Sequence, residues 1–215
     1  MTDSVVEAVS VAASVAVSDS VSVTVSGSVT VSVTVTVPGS VTGPYLVALS
    51  DIQLLVLDVD GVLTDGSIWL APSGEEVKPF FVRDGAAIRW LLESGLRAAL
   101  VTGRSSETVR RRASELGIER VTMGATDKGR AFDELLEREG LEPRQVAYMG
   151  DDLADLPAMT RAGFAFTVPD APPEVRQRAH HVTTAAAGRG AVREAIELLL
   201  RAHGLWDALV GGYLT

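Results

Sequence analysis

The amino-acid sequence predicts an α/β fold: a doubly wound, Rossmann-like parallel sheet with helices on both faces, a small β-hairpin flap and no cap domain. Three observations carry this expectation. Short continuous apolar runs, of the kind buried on both faces of a parallel sheet, recur through residues 45–204. Helical patterns fall between successive runs. Glycines follow the first three of those helices, where left-handed caps belong. Alternation of this type places a ligand site outside the carboxyl ends of the strands.

The strand runs lie at 53–57 (Gln53-Leu54-Leu55-Val56-Leu57), 98–101, 121–123, 146–149 and 164–166. Helices are expected over 86–93, 106–116, 129–139 and 153–162, with Gly95, Gly117 and Gly140 ending the first three. One segment interrupts the alternation. Ser67-Ile68-Trp69-Leu70, a turn through Ala71-Pro72-Ser73-Gly74, and residues 76–82 read as a hairpin projecting just after the first strand. A last helix is expected over 191–202, then an extended C-terminal tail at 205–215 with Gly211-Gly212.

Residues 1–44 are a different kind of polymer. They hold no Lys, Arg or His and alternate Val with Ser or Thr, as in Val29-Thr30-Val31-Ser32-Val33. The period is that of a strand, but the segment has few long side chains to bury. It is expected to be a low-complexity, disordered extension bounded by Pro38-Gly39 and Gly43-Pro44. A self-associating strand and a displaced translation start are its other readings. Neither the basic start and apolar run of a secretory signal nor an unbroken transmembrane span is present.

Composition narrows the function classes. The 215 residues carry 19 Lys and Arg against 28 Asp and Glu, a net charge of −9, which disfavours binding to a nucleic-acid backbone. Aromatic residues make up 5%, too few for a base-stacking platform. The absence of cysteine excludes disulfides, Cys-ligated zinc, iron–sulfur clusters and a Cys nucleophile. The expectation is a soluble cytoplasmic enzyme acting on a small molecule, with no membrane or nucleic-acid partner.

Chemistry gathers at the strand ends. The first strand runs into Asp58-Val59-Asp60-Gly61, and carboxylates two residues apart in extended chain face the same way. Asp and Gly are also ordinary turn residues, so this pair alone says little. The second strand ends in Thr102-Gly103-Arg104-Ser105, a hydroxyl with backbone amides at a helix start, suited to an anion. Lys128 opens the helix after the third strand, against the macrodipole, which points to a nearby anion. The fourth strand ends in Gly150-Asp151-Asp152-Leu153-Ala154-Asp155, three acids that repel one another unless a cation offsets them. Each signal is weak alone. Together they are the parts needed for Mg²⁺-assisted phosphoryl transfer through an aspartyl-phosphate, with Asp58 and Asp151 able to supply carboxylates to the metal.

With these residues the chain resembles the haloacid dehalogenase superfamily of phosphatases, over roughly residues 54–193. The resemblance implies Asp58 as nucleophile and Mg²⁺ ligand, and Asp60 as general acid/base that also gives the metal its backbone carbonyl. It implies Thr102 as phosphoryl holder, Lys128 as the cation stabilising nucleophile and transferring charge, and Asp151 as the remaining metal ligand, with Asp152 and Asp155 in support. The short intervals Asp58–Thr102 and Thr102–Lys128 leave no room for a sizeable cap domain. Within the superfamily the chain is similar to the family acting on 3-deoxy-D-manno-octulosonate 8-phosphate, through DVDGVLTDG at 58–66, Arg83-Asp84-Gly85, GDDLADLP at 150–157 and GRGAVRE at 188–194.

That likeness implies a sugar-acid phosphate substrate and a homotetramer assembled around the hairpins. Substrate contacts would come from Asp60, a flap of Phe81, Val82, Arg83, Asp84 and Gly85, then Arg89, Arg104, Arg112 and Lys128. Guanidinium groups suit the sugar-acid carboxylate, and Mg²⁺ with Lys suits the phosphate. Phe81 and Ala86-Ala87 depart from the family pattern within these contacts. A nine-carbon sugar-acid 9-phosphate, and a non-catalytic module of the same fold, are the competing readings.

Overall fold

A computed structural model describes residues 49–214 and, before them, the dipeptides 23–24 and 32–33. The chain divides into two units, Met1–Gly43 and Pro44–Thr215. In the first, strand β1 (Val23–Thr24) pairs antiparallel with β2 (Ser32–Val33). The expected disorder of residues 1–44 otherwise falls outside the described residues.

The second unit is built on one six-stranded, wholly parallel sheet. Its strands are β3 (Leu54–Leu57), β6 (Arg97–Thr102), β7 (Arg120–Met123), β8 (Val146–Met149), β9 (Phe164–Thr167) and β10 (His181–Val182), in the order β10-β9-β8-β3-β6-β7. The apolar runs form strands because every residue of β3, β8 and β9 is buried on one face or the other. From β3 the chain winds outward through β6 and β7, then returns to the other side of β3 for β8, β9 and β10. The reversal makes β3 and β8 the switch point. Leu57 lies opposite Met149, so the residues that follow, Asp58 and Gly150, leave the sheet side by side.

The helices are α1 (Val82–Glu93), α2 (Glu107–Leu116), α3 (Lys128–Glu139), α4 (Leu156–Met159), α5 (Pro173–Arg176), α6 (Ala191–Ala202) and α7 (Trp206–Gly212). Helices α1 and α6 pack on each other, as do α3 and α4. Local signals set the starts of α2 and α3. Ser106 Oγ accepts from Val109 N at 3.4 Å and Asp127 Oδ1 from Arg130 N at 2.9 Å, while Gly117 and Gly140 end these helices in left-handed conformation. The cap of α2 is thus Ser106. The expected helix at 153–162 is instead a 3₁₀ turn, Leu153–Asp155, followed by the single turn of α4.

Three expectations change more substantially. The hairpin is only β4 (Trp69–Leu70) against β5 (Glu76–Val77), because Val82 already belongs to α1. Strand β10 was not foreseen; two residues give too short a run to register. The expected extended tail forms helix α7, because Trp206 and Tyr213 both pack edge-on against Trp90 at 6.1 Å. The Tyr213 hydroxyl also accepts from Trp90 Nε1 at 2.8 Å. A seven-residue helix with two glycines has little intrinsic stability, so this aromatic contact decides it.

Asp84, expected among the substrate contacts, belongs to the core of this scaffold. It is 1% exposed, and its carboxylate accepts from Gly190 N at 3.3 Å and Arg193 N at 2.8 Å. It therefore caps α6 from a neighbouring helix, where Gly190 has no side chain to do so. Burial pushes its pKa up, and the two N–H donors and Arg193 pull it back only in part. Asp84→Ala should cost about 1–3 kcal/mol by leaving those N–H groups unsatisfied, read as a lower urea midpoint at unchanged slope.

Candidate active site

The switch point brings four of the expected residues into one buried cluster. Lys128, the first residue of α3, places Nζ 2.9 Å from Asp58 Oδ2 and donates to Asp155 Oδ1 at 2.7 Å. The anion foreshadowed by a lysine at a helix start is thus a pair of carboxylates. Asp155 is fully buried and saturated. Its Oδ1 also accepts from the Tyr148 hydroxyl at 2.8 Å, and its Oδ2 from the backbone N–H groups of Asp151 and Asp152, both at 3.2 Å. Asp155 is therefore the anchor of the cluster, holding the lysine in place and shaping the loop that carries Asp151.

Asp151 faces Asp58 across the gap between β8 and β3. Gly61, at φ +88°, lets it come close: a Cβ at that position would collide with the Asp151 carboxylate. One carboxylate oxygen from each of Asp58, Asp151 and Asp155 lies within 4.8 Å of the others. Asp151 Oδ1 is buried without a hydrogen-bond partner. Asp155 is committed elsewhere, so Asp58 and Asp151 are the two with oxygens to offer a cation. An orphaned carboxylate oxygen facing a second carboxylate fits a hard divalent ion.

The electrostatics agree. Desolvation, with the charge of Asp155 added, raises the Asp58 carboxyl to about 6, although Lys128 opposes it. Desolvation and the charges of Asp58 and Asp155 raise Asp151 to about 7. Burial pushes Lys128 down, but its two carboxylate partners outweigh this and its net shift is upward. One cation is not enough for three acids.

The remaining expected residues divide. Thr102, 2% exposed, ends β6, the strand beside β3, and its Oγ1 accepts from Arg104 N at 3.4 Å. Asp60 lies at the rim, with Lys78 bound to Oδ1 and Arg104 Nε 3.9 Å from Oδ2. The expected flap Phe81–Gly85 is not a loop: from Val82 onward it is the first turn of α1. Phe81 is half-buried, Val82 and Arg83 point outward, and Asp84 and Gly85 point inward. Gly85 is packed so that a Cβ would strike the Arg112 guanidinium. Arg89 donates to Glu115 O at 3.0 Å, and Arg112 pairs with Glu115 Oε2 at 2.9 Å while lying over the Phe80 ring. These two arginines form a separate cluster around Glu115, and among the described residues none of their polar contacts reaches the acids. Residues the sequence did not single out are Lys78 and Tyr148. A lysine between Val77 and Pro79-Phe80 was the available signal for Lys78; Tyr148, inside an apolar strand, gave none.

The haloacid dehalogenase-like hydrolase family matches residues 75–163. The 3-deoxy-D-manno-octulosonate 8-phosphate phosphatase of Escherichia coli K12 is 48% identical over 162 residues, covering 75% of this chain and 86% of that protein. This chain belongs to the haloacid dehalogenase-like hydrolases. Among solved structures, the phosphatase of the same name from Moraxella catarrhalis, in complex with magnesium, phosphate and the sugar acid KDO, superposes with a TM-score of 0.77 at 42% identity, covering 78% of this chain and 97% of that one. The Yersinia pestis phosphatase gives 0.76 at 43% identity, covering 78% and 90%.

Because both acid shifts are upward, the unfolded chain releases these protons at lower pH than the folded chain. The metal-free protein should lose stability as pH rises from near 3.8, the ordinary Asp value, to about 7. Asp151→Asn should therefore stabilise the metal-free protein at pH 8 by on the order of 1–3 kcal/mol, measured by urea unfolding in chelator. The same variant should lose the stabilisation that Mg²⁺ gives the wild type.

Proposed function

We propose that this protein hydrolyses 3-deoxy-D-manno-octulosonate 8-phosphate to the free sugar acid and phosphate, as a Mg²⁺-dependent phosphoric monoester hydrolase. The observation that carries the proposal is the convergence of Asp58, Lys128 and Asp151 on one buried point at the switch of the sheet. Asp58 and Asp151 would hold Mg²⁺, with the backbone carbonyl of Asp60. Bound there, the ion supplies positive charge that offsets the acids and the phosphoryl oxygens.

The chain's own residues account for the covalent steps. An Asp58 carboxylate oxygen attacks phosphorus, the phosphorus–oxygen bond to the sugar breaks, and the departing oxygen takes a proton from Asp60. Water then attacks the aspartyl-phosphate, Asp60 takes its proton, and the bond between Asp58 and phosphorus breaks to release phosphate. Lys128, held by Asp155, neutralises the nucleophile before attack and the transferring oxygens during it. Thr102 and the backbone amides beyond it receive the phosphoryl group. Arg104 beside Asp60, with outward-facing Arg83, supports recognition of a carboxylate on the sugar.

The assembly is a homotetramer that uses the hairpin as its contact. Trp69 is 62% exposed and Leu70 71%, with Ile68 and Val77 exposed beside them, an apolar surface that a lone hairpin does not keep in water. The enzyme works in the cytoplasm, since a multiply charged sugar phosphate does not cross a bilayer unaided.

Asp58→Asn should abolish phosphate release, and chelation of Mg²⁺ should do the same reversibly; activity surviving the substitution would reject the aspartyl-phosphate. Turnover should favour the eight-carbon substrate over a nine-carbon sugar-acid 9-phosphate, and equal kcat/KM would defeat the narrower assignment. Trp69→Asp combined with Leu70→Asp should convert the tetramer to smaller species in sedimentation velocity.

A further inference from the structure

Lys78 takes no part in the chemistry above, yet its ammonium group is fully buried beside the residue that moves the protons. Its side chain is 0% exposed and contacts Asp60 Oδ1 and, at 2.9 Å, Glu76 Oε1. The other Asp60 oxygen, Oδ2, is buried and has no hydrogen-bond partner. The carboxylate is therefore asymmetric: Oδ1 is clasped by the ammonium, whereas Oδ2 has only the longer ion pair to Arg104 Nε, 3.9 Å away.

The mount for this lysine is itself fixed. Lys78 directly follows β5, and Glu76 on that strand is tied to the body of the domain twice. Thr108 Oγ1 donates to Glu76 O at 3.0 Å, and Arg104 Nη2 donates to Glu76 Oε2 at 3.2 Å. Both partners come from the segment between β6 and the first turn of α2 that also follows Thr102. A buried ammonium costs several kcal/mol unless paired, and Glu76 alone would satisfy that need with no reach toward the active site. The side chain instead spans both carboxylates.

We propose that Lys78 is a positioning residue for Asp60: by holding Oδ1 it presents Oδ2 as the atom that gives the proton to the leaving oxygen and takes one from water. This rests on the acid/base role of Asp60 in the function proposed above. Without the clasp, Asp60 stays in the chain but loses its aim. The cost falls on steps that need the proton, not on every step.

A leaving group that needs no proton separates the two cases. Lys78→Met should lower kcat/KM for 3-deoxy-D-manno-octulosonate 8-phosphate about 10–100-fold, a part of the roughly 10²–10⁴-fold that a well-aimed general acid contributes. For p-nitrophenyl phosphate, whose phenolate leaves unprotonated, the loss in kcat/KM should be at least about tenfold smaller. Lys78→Gln, which keeps a donor of similar reach without the charge, should fall between wild type and Lys78→Met in this substrate ratio. It carries the comparison if Lys78→Met does not fold. Equal losses on the two substrates, or none, would overturn the inference. A wild-type protein that releases phosphate from neither substrate would overturn the proposed function instead.

Discussion

Three carboxylates and one lysine share a pocket from which water is largely removed, and most of the site follows from how that imbalance is managed. Lys128 bridges Asp58 and Asp155, and Asp155 spends its remaining capacity on Tyr148 and two backbone N–H groups. Asp155 is thereby locked and Asp58 is half-neutralised. Asp151 is left with an orphaned oxygen and a pKa raised toward neutrality. A buried pair like Lys128–Asp155 is a weak source of stability. Its use here is geometric, since it sets the lysine against Asp58 and leaves two carboxylates short of a cation.

Sheet topology supplies the place where such an arrangement can exist. Only at the reversal between β3 and β8 do two adjacent strand ends open outward without a crossover helix between them. Asp58 and Asp151 leave the sheet there, one residue and two residues past paired positions. The approach is close enough that Gly61 has no room for a side chain. Strands buried on both faces hold these ends rigidly, which catalysis by preorganised charge requires.

The hairpin has two faces and serves two ends. Outward it shows Trp69, Leu70 and Val77; inward, just past its second strand, it carries Lys78 to Asp60. An enzyme without a cap domain has to shape its opening by other means. Here a short projection fastened by Thr108 and Arg104 connects the apolar surface, through Lys78, to Asp60. Arg89 and Arg112 take a different course, since Glu115 and the Phe80 ring already engage them.

Alternating apolar runs and helical patterns made the parallel sheet legible, since burial on both faces leaves a compositional mark that needs no partner to be read. Asp58, Thr102, Lys128 and Asp151 were legible for a related reason: three sit at or just past a strand end, Lys128 opens the helix that follows one, and these ends share one edge of a parallel sheet whatever the details of packing. Contacts between segments far apart in the chain left no such mark. Asp84 looked like part of a flap until α6 claimed it as a cap, the tail looked extended until Trp90 gave Trp206 and Tyr213 a surface, and Lys78 looked like a strand lysine until the fold put Asp60 against it. Local periodicity thus determined which elements form and which residues stand at their ends. Which side chains are spent on holding the scaffold, and which remain free for a ligand, was decided only when distant segments packed and competed for the same hydrogen bonds.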